Sequence, residues 1–198
     1  YPWWKYVQRR EPSLSDSEEL SVRLTQASEV AFQMKGMFNL EAAENYYPNV
    51  PVAAVSHSYP GVISLDIATG RFFNGSESAS GSPVAIVGYD IAMNLFGTEE
   101  VLGRKIKIVG QRVEIIGTFT HHGESMISNG FDEFVMVPAT FAPRIFDTRN
   151  LEGNSIMVKA RAGVEMEILK DEIIQQLRSV RRVRPGNEND FSINQIDM

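Results

Sequence analysis

The chain has 198 residues, of which 43% are hydrophobic and 22% are charged, and its formal net charge at pH 7 is −6. A globular chain with this acidic balance has no overall electrostatic attraction to nucleic acid or to an anionic lipid surface, so neither is expected as a general partner. Because there is no cysteine, disulfides, thiolate zinc sites and cysteine nucleophiles are excluded.

The first stretch, residues 1–13, is aromatic and basic. Trp3 and Trp4 beside Lys5 and Arg9 are typical of a segment at a membrane interface, but the simpler interpretation is a lead-in whose rings pack on the domain. No stretch of the sequence approaches the ~18 consecutive apolar residues of a membrane-spanning helix. Since the chain starts at a tyrosine and stops after a strand-like run, we expect it to be a piece excised from a larger protein.

The next segments predict one helix and two strands. Ser15 to Glu18 fits a capping box, so a helix is predicted over residues 16–26. Residues 29–38 alternate between apolar and polar side chains, which predicts a half-buried strand. The polar residues 39–49 are predicted to form a loop before a second strand at residues 50–55.

The central segments predict short strands around one helix. Residues 74–82 are rich in Gly and Ser and are predicted to be a loop, followed by a buried strand at 84–87 and a helix at 89–96 that ends at Gly97. Residues 105–108 and 112–115 alternate strictly. Gly110 and Gln111 between them predict a two-residue hairpin loop. A strand at 133–137 then leads through Pro138 into a helix over 139–146.

The last segments predict strand, helix and strand, over residues 155–160, 164–182 and 190–196. The apolar stripe of the helix is predicted to contain Val164, Ile168, Ile173, Leu177 and Val180. The basic run at residues 178–184 is interpreted as a solvated face that complements the negative end of the helix dipole, with binding of phosphate or acidic partners as the alternative.

This order of elements predicts an α+β fold with two subdomains. The chain ends, residues 14–61 and 152–198, are expected to pair with each other. The middle, residues 62–151, is expected to form an inserted β-rich subdomain, and hinges are predicted near residues 58–62 and 150–154.

Few residues are arranged for chemistry. His121, His122 and Glu124 offer a ligand set for a metal, but adjacent histidines on a strand point to opposite faces. Ser56-His57-Ser58 and Glu124-Ser125 supply the residue types of a hydrolase without its G-x-S-x-G turn. The carboxylates Asp66, Asp90 and Asp132 form no paired motif. We therefore predict a protein that is not an enzyme, with no catalytic, cofactor-binding or metal-binding residue. Its substrate-binding residues stay unknown.

Several segments resemble, in order, the periplasmic core domain of MacB/FtsX-type ABC transporter permeases. They are Gly70-Arg71-Phe72-Phe73, the run 84–88 with Leu95-Phe96-Gly97, and the runs 102–108, 113–117, 135–138, 155–160 and 190–193. The resemblance covers roughly residues 15–198, and the lead-in at 1–13 does not match the pattern.

The resemblance implies a domain outside the cytoplasm, between the first and second membrane helices of an inner-membrane permease. It implies a porter-like subdomain from the chain ends and an inserted subdomain called Sabre. The implied partners are an ABC ATPase, fused or separate, a second permease copy in a homodimer or heterodimer, and a periplasmic adaptor or substrate carrier.

The implied function is mechanotransmission, in which ATP-driven movement of the membrane helices is delivered to the periplasm. It serves export or extraction of a substrate, such as a macrolide, peptide or lipoprotein, or regulation of a partner. The alternatives are a stand-alone ligand-binding module and a metal-dependent hydrolase that uses the His121-His122-Glu124 loop.

Overall fold

The structure, a computed structural model, describes residues 10–122, 130–147 and 151–195, apart from the side chains of residues 151 and 152. The helices in these ranges are α1 (Leu14–Arg23), α2 (Tyr59–Val62), α3 (Gly75–Ser80), α4 (Tyr89–Phe96), a 3₁₀ helix (Ala139–Arg144) and α5 (Met166–Val180). The strands are β1 (Ala27–Ala42), β2 (Asn45–Val55), β3 (Ile67–Gly70), β4 (Val84–Val87), β5 (Lys105–Ile108), β6 (Gln111–Phe119), β7 (Val135–Pro138) and β8 (Leu151–Ala160). The fold is α+β, as predicted.

Six strands close into a ring, which we call the ring from here on. Going around it, β1 pairs with β2, β2 with β7, β7 with β4, β4 with β6, β6 with β5, and β5 again with β1. The contacts of β2 with β7 and of β4 with β6 are parallel, and the others are antiparallel. The ring therefore uses two strands from the first 55 residues of the chain and four from its middle.

The inside of the ring is its apolar core. Alternate residues of all six strands meet there, so side chains at period two point inward. They pack with Ile91, Leu95 and Phe141 from α4 and the 3₁₀ helix. The outer faces of β4 and β7 are covered as well, because Ile86 and Met136 belong to a second cluster under α2. Burial on both faces explains why these two strands read as unbroken apolar runs.

The chain ends form a layer beside the ring, which we call the end layer: α1, α5, β8 and residues 188–195, packed on the first half of β1. β8 pairs antiparallel with β1, with Val30 opposite Val158. Leu20, Leu24, Leu169, Leu177 and Phe191 fill the cluster between the two helices and the strands. The predicted pairing of the chain ends is therefore present.

The first half of the chain differs from the prediction in two places. α1 begins two residues early, because Ser13 and Asp16 form the capping box rather than Ser15 and Glu18. The predicted loop at residues 39–49 is wrong, since β1 and β2 continue through it to a tight turn at Ala43 and Glu44. Polar residues alternate with inward-facing Leu40 and Ala42, so the outer face of a ring strand was mistaken for a loop.

Three smaller corrections follow in the middle. The predicted loop at 74–82 contains α3, whose capping box joins Asn74 and Glu77. The hairpin loop is Val109–Gly110, one residue earlier than predicted, and both residues have positive φ. The predicted helix at 139–146 is a 3₁₀ helix, and it contains Pro143, which cannot donate an α-helical hydrogen bond.

The end of the chain holds two further corrections. The predicted last strand is absent among residues 190–195, because Phe191 turns into the end layer instead of joining a sheet. On α5, Leu169 is buried whereas Ile168 is 52% exposed. The buried stripe therefore runs through Leu169, Ile173 and Leu177, four residues apart.

The predicted division at residues 61/62 and 151/152 stays a prediction. What the topology shows is that β1 takes part on both sides of that division. Its residues 27–36 pair with β8, and its residues 40 and 41 pair with β5. One uninterrupted strand thus links the end layer to the ring.

Candidate functional site

Both ends of the described chain meet at the C-terminus of α5. The guanidinium of Arg181 donates to the backbone oxygens of Arg10 at 3.0 Å and Glu11 at 3.4 Å. It also forms ion pairs with Asp16 at 2.9 Å and with Asp190 at 3.5 Å. Its side chain is 0% exposed and that of Asp16 is 4% exposed. One buried cation therefore contacts two segments: residues 10–12 before α1, which we call the entering segment, and residues 190–191 after α5, which we call the leaving segment.

Asn154 of β8 fixes the entering segment from the other side. Its N–H donates to a carboxylate oxygen of Glu11 at 3.0 Å, and its side-chain amide donates to the backbone oxygen of Pro12 at 2.9 Å. Residues 10–12 are thereby held between α5 and β8 before α1 begins. Sequence reasoning missed this arrangement, because Asn154 was interpreted as the boundary between two subdomains.

The arginine run at residues 178–184 is divided by the fold. Arg182 and Arg184 are exposed, in agreement with the predicted solvated face. The side chain of Arg181 is 0% exposed, so that prediction is wrong for this residue. Arg178 donates to the backbone oxygens of Arg184 and Asn187, both at 3.0 Å, and thereby ties down the turn that ends α5.

A carboxylate of α5 holds the connection between α1 and β1. Glu172 accepts hydrogen bonds from the N–H and hydroxyl of Thr25, at 2.8 and 2.7 Å, and from the N–H of Gln26 at 3.0 Å. Burial acts to raise the pKa of Glu172, but the hydrogen bonds outweigh it and hold the pKa below its usual range. The end layer is thus tied by polar contacts at two points along α5.

A cleft of about 460 Å³ separates the end layer from α3 and the 3₁₀ helix. One wall carries Glu18 and Ser21 of α1, and the opposite wall carries Ser78 and Ala79 of α3. The volume falls in the range of small-molecule sites. The hydroxyls of Ser56 and Ser58, which also line the cleft, already form hydrogen bonds to the backbone of β1.

Ser56 and Ser58 have structural partners instead of a catalytic base. The hydroxyl of Ser56 accepts the N–H of Phe32 at 2.9 Å, and the hydroxyl of Ser58 donates to the backbone oxygen of Val30 at 2.6 Å. His57 between them is exposed and lies beside the ring of Phe72. Ser125 is outside the described residues. The structure thus gives the serines of residues 56–58 a role in holding β1.

The two histidines point to different carboxylates. His121 Nδ1 lies 3.3 Å from Asp132, and His122 Nε2 lies 3.3 Å from Asp66. The ring of His121 also packs against Tyr89, with centroids 4.0 Å apart. Glu124 is outside the described residues. Within the described ranges, no group of three or more His, Asp or Glu side chains could hold a metal ion.

No helix among residues 10–122, 130–147 and 151–195 combines the length and the apolar character needed to cross a bilayer.

Asp90 lies in the first turn of α4, where a carboxylate complements the helix dipole. Asp66 and Asp132 lie outside helices and strands, each 3.3 Å from one of the two histidines, and the N–H of Asp90 donates to the backbone oxygen of Asp132 at 2.9 Å.

Comparison with known proteins gives one consistent answer. Residues 3–176 match the family model described as the MacB-like periplasmic core domain. The match begins inside the aromatic lead-in, so residues 3–13 belong to the matched region, contrary to the sequence-based expectation.

Two curated relatives are ATP-binding/permease proteins. The pyoverdine export protein PvdT of Pseudomonas aeruginosa is 30% identical over 95 residues, which are 48% of this chain and 14% of that protein. The macrolide export protein MacB of Marinobacter nauticus is 29% identical over 143 residues, which are 72% of this chain and 21% of that protein. The chain thus spans about a fifth or less of either relative.

One solved structure with a similar fold is the extracellular domain of the noncanonic ABC-type transporter YknZ from Gram-positive bacteria. It superposes with a TM-score of 0.73 over 88% of this chain and 86% of that chain, at 20% identity. At this identity the likeness shows the fold alone.

Proposed function

We propose, since this chain belongs to the family of MacB-like periplasmic core domains, that it is the extracytoplasmic domain of an ABC transporter permease in the inner membrane. The full-length system includes an ABC ATPase subunit or domain and a second permease copy, with a periplasmic adaptor or substrate carrier as a further partner. The domain contributes no catalytic residue and no cofactor. It transmits movement of the membrane helices to the periplasm.

The observation that carries this proposal is the meeting of the two chain ends at Arg181. A domain hung between two membrane helices receives force through its entering and leaving segments. Here these segments, residues 10–12 and 190–191, contact the same side chain. Movement of either membrane helix is therefore delivered to one point of the end layer.

We propose that the force then travels through β1. This strand is 16 residues long; it pairs with β2 along one edge and, along the other edge, with β8 in the end layer and with β5 in the ring. A strand paired along both edges resists bending better than a loop does, because its backbone hydrogen bonds must break first. We therefore propose that the porter-like part, residues 14–61 and 152–198, and the Sabre-like part, residues 62–151, move together as one lever instead of bending at the hinges predicted near residues 58–62 and 150–154.

The names of the two export relatives indicate which process the movement serves. They specify macrolide export and pyoverdine export, so we propose that this domain serves substrate export. Extraction of a substrate and regulation of a periplasmic partner are the other outcomes within the same mechanism. The hydrolase alternative has less support, because the described histidines pair with separate carboxylates and Ser56 and Ser58 hold backbone groups.

The test uses the full-length permease with its ATPase in proteoliposomes. A fluorescent donor is attached at Tyr46→Cys, a 59% exposed position near the N-terminal end of β2, and acceptor lipids are placed in the bilayer. We expect energy transfer to differ between the nucleotide-free and the ATP-bound transporter. Inserting six Gly and Ser residues directly before Arg10 is expected to abolish that difference while ATP hydrolysis continues.

The matched control places the same insertion in the Val109–Gly110 turn. Val109 is 56% exposed and the turn lies at the end of the ring away from residues 10–12, so the nucleotide response is expected to remain. A wild-type transporter with no nucleotide-dependent change in energy transfer contradicts the proposal. So does a response that survives the insertion before Arg10.

A further inference from the structure

We infer that Arg181 is the positioning residue that joins the entering and leaving segments into one rigid attachment. This inference rests on the proposed function, and it adds which side chain makes the two segments move together. Five partners surround the guanidinium: the carboxylates of Asp16 and Asp190 and the backbone oxygens of Arg10, Glu11 and Asp190.

On the entering side, Arg181 holds backbone rather than side chains. Its Nη1 donates to the oxygen of Arg10 at 3.0 Å, and its Nη2 reaches the oxygen of Glu11 at 3.4 Å. Because both acceptors are backbone oxygens, these hydrogen bonds fix the position of the main chain at residues 10 and 11. The side chain of Asn154 completes the grip through the oxygen of Pro12.

On the leaving side, the same guanidinium lies 3.5 Å from the carboxylate of Asp190. Its carbon lies 5.9 Å from the centre of the Phe191 ring, within the range of a cation–π contact. Phe191 is buried in the end layer. The leaving segment is therefore anchored by charge at one residue and by packing at the next.

The body of the domain meets this attachment at two helix ends. Asp16 caps α1 by accepting the N–H of Ser13 at 3.2 Å, and the same oxygen accepts from Arg181. Arg181 itself is the C-cap residue of α5. A carboxylate at the positive end of α1 thus faces a guanidinium at the negative end of α5, so both helix dipoles favour the pair.

Burial and shape make this position specific for arginine. Charges removed from solvent are screened little by salt, and breaking such a pair leaves an unpaired buried charge. A guanidinium offers several donors in a fixed plane, whereas a lysine ammonium is one point charge. Lysine at this position can pair with Asp16 or reach residues 10 and 190, but it cannot hold all of them at once.

The test compares Arg181→Met and Arg181→Lys with the neighbouring Arg182→Met, measuring backbone hydrogen exchange on the isolated chain. Arg182 is exposed, so its variant is the matched control. We expect both Arg181 variants to speed exchange at residues 10–13 and at residues 188–195 together, at least tenfold, while β4 and β6 keep their protection. Arg182→Met is expected to leave all four regions unchanged.

Loosening of only one segment, or of neither, overturns the inference. Should Arg181→Met also expose β4 and β6, the conservative Arg181→Lys decides, because it keeps the charge paired with Asp16. If Arg181→Lys leaves both segments as protected as in the wild type, Arg181 is not the joint.

The energy-transfer measurement in the full-length transporter separates this inference from the proposed function. With Arg181→Lys, we expect ATP hydrolysis to continue and the nucleotide response at Tyr46→Cys to be lost. A normal response despite loosened segments overturns the inference that Arg181 joins the two segments for force transmission, and it leaves the proposed function standing. Absence of a response in the wild type overturns the proposed function, and hydrogen exchange still decides whether Arg181 joins the two segments.

Discussion

The ring and the end layer are stabilised in different ways. In the described part of the chain, the ring encloses 21 buried apolar residues, whereas the corresponding cluster of the end layer has seven. The end layer adds the buried Asp16–Arg181 pair and the hydrogen bonds of Glu172. Apolar packing is not directional, whereas ion pairs and hydrogen bonds require particular geometry. Apolar packing therefore maintains the overall shape of the ring, whereas the polar contacts of the end layer fix the positions of individual chain segments.

Removing one large buried side chain from each cluster tests whether the two regions are stabilised differently. Phe141→Ala removes a 0% exposed phenyl group from the core of the ring. It is expected to lower the free energy of unfolding by ~3–5 kcal/mol in one global transition. Leu169→Ala in the end layer is expected to cost about 2–5 kcal/mol, towards the lower end, because its cluster has fewer buried residues than the core of the ring. Chemical denaturation followed by circular dichroism measures both.

Hydrogen exchange then shows whether the two regions unfold together. We expect Leu169→Ala to reduce protection in α1, α5 and β8 more than in β4 and β6. Equal loss everywhere means that the ring and the end layer are one cooperative unit, which removes the distinction. Leu102→Ala, at a 48% exposed position, is the control and should change stability by less than about 0.5 kcal/mol.

A glycine at the end of the ring gives the next largest effect. Gly88 follows β4 and lies against the backbone oxygens of Phe131 and Asp132, closer than a Cβ could be accommodated. Gly88→Ala is expected to cost ~1–3 kcal/mol, because backbone must move to admit the methyl group. Thermal unfolding measures the loss.

Gly75→Ala is the matched control for that prediction. Gly75 begins α3 outside the ring, and nothing lies within 4 Å of the position its Cβ would take. The substitution is expected to be neutral or to stabilise by up to about 1 kcal/mol, since it restricts the unfolded chain. Equal destabilisation by the two substitutions would mean that the close contact at Gly88 is not the cause.

A buried hydrogen bond at the junction of the two regions gives a smaller effect. The hydroxyl of Tyr59 donates to the side-chain oxygen of Gln33 on β1 at 2.9 Å, and both residues are buried. Tyr59→Phe leaves that oxygen without its donor and is expected to cost ~1–2 kcal/mol at neutral pH. Tyr46→Phe, at an exposed position on β2, should cost nothing measurable.

The pH dependence of Tyr59 offers a second readout. Burial raises the pKa of Tyr59 from 10.0 to about 12. The folded state therefore favours the neutral phenol, so this contribution to stability is present below pH 10 and is lost as the pH rises towards 12. Alkaline unfolding of Tyr59→Phe should lack this component. An unchanged profile would show that Tyr59 does not titrate in this range.

The smallest effect is expected outside both regions, on α3. Arg71 donates to both carboxylate oxygens of Glu77, at 2.7 and 2.8 Å, and this pair lowers the pKa of Glu77 to about 2. Its contribution is present above the unfolded pKa of 4.5 and is lost as the pH falls towards 2. Because the pair is near the surface, Glu77→Gln should cost less than ~1 kcal/mol.

Hydrogen exchange at residues 75–80 between pH 5 and pH 3 is the measurement for α3. Glutamine can still accept the N–H of Asn74, but its amide nitrogen cannot accept from Arg71, so the substitution removes the charge of Glu77 and one of the two Arg71 hydrogen bonds. Glu99→Gln, in an exposed loop, is the control. A pH-dependent loss of protection that persists in Glu77→Gln would assign the effect to another group.

Local signals in the sequence determined much of the ring. The apolar run of β4, the helix that follows it and the left-handed Gly97 that ends that helix all agree with the prediction, at φ 67° for the glycine. The strict alternation around Val109–Gly110 also predicted the hairpin of β5 and β6. These features depend on neighbours within about ten residues, so periodicity and turn chemistry reveal them.

The connection between the chain ends and the middle depends on contacts between residues far apart in sequence. The polar residues 39–49 form strands because Leu40 and Val50 face a core built largely by residues far along the chain. Arg181 is buried because Asp16, 165 residues away in sequence, lies opposite it. No local pattern marks such a pair, since its energy comes from burial and geometry that exist only after folding. Local signals therefore identified the central strands, their hairpin and the helix after β4, whereas the folded chain determined that residues 39–49 form strands and that Arg181 pairs with Asp16.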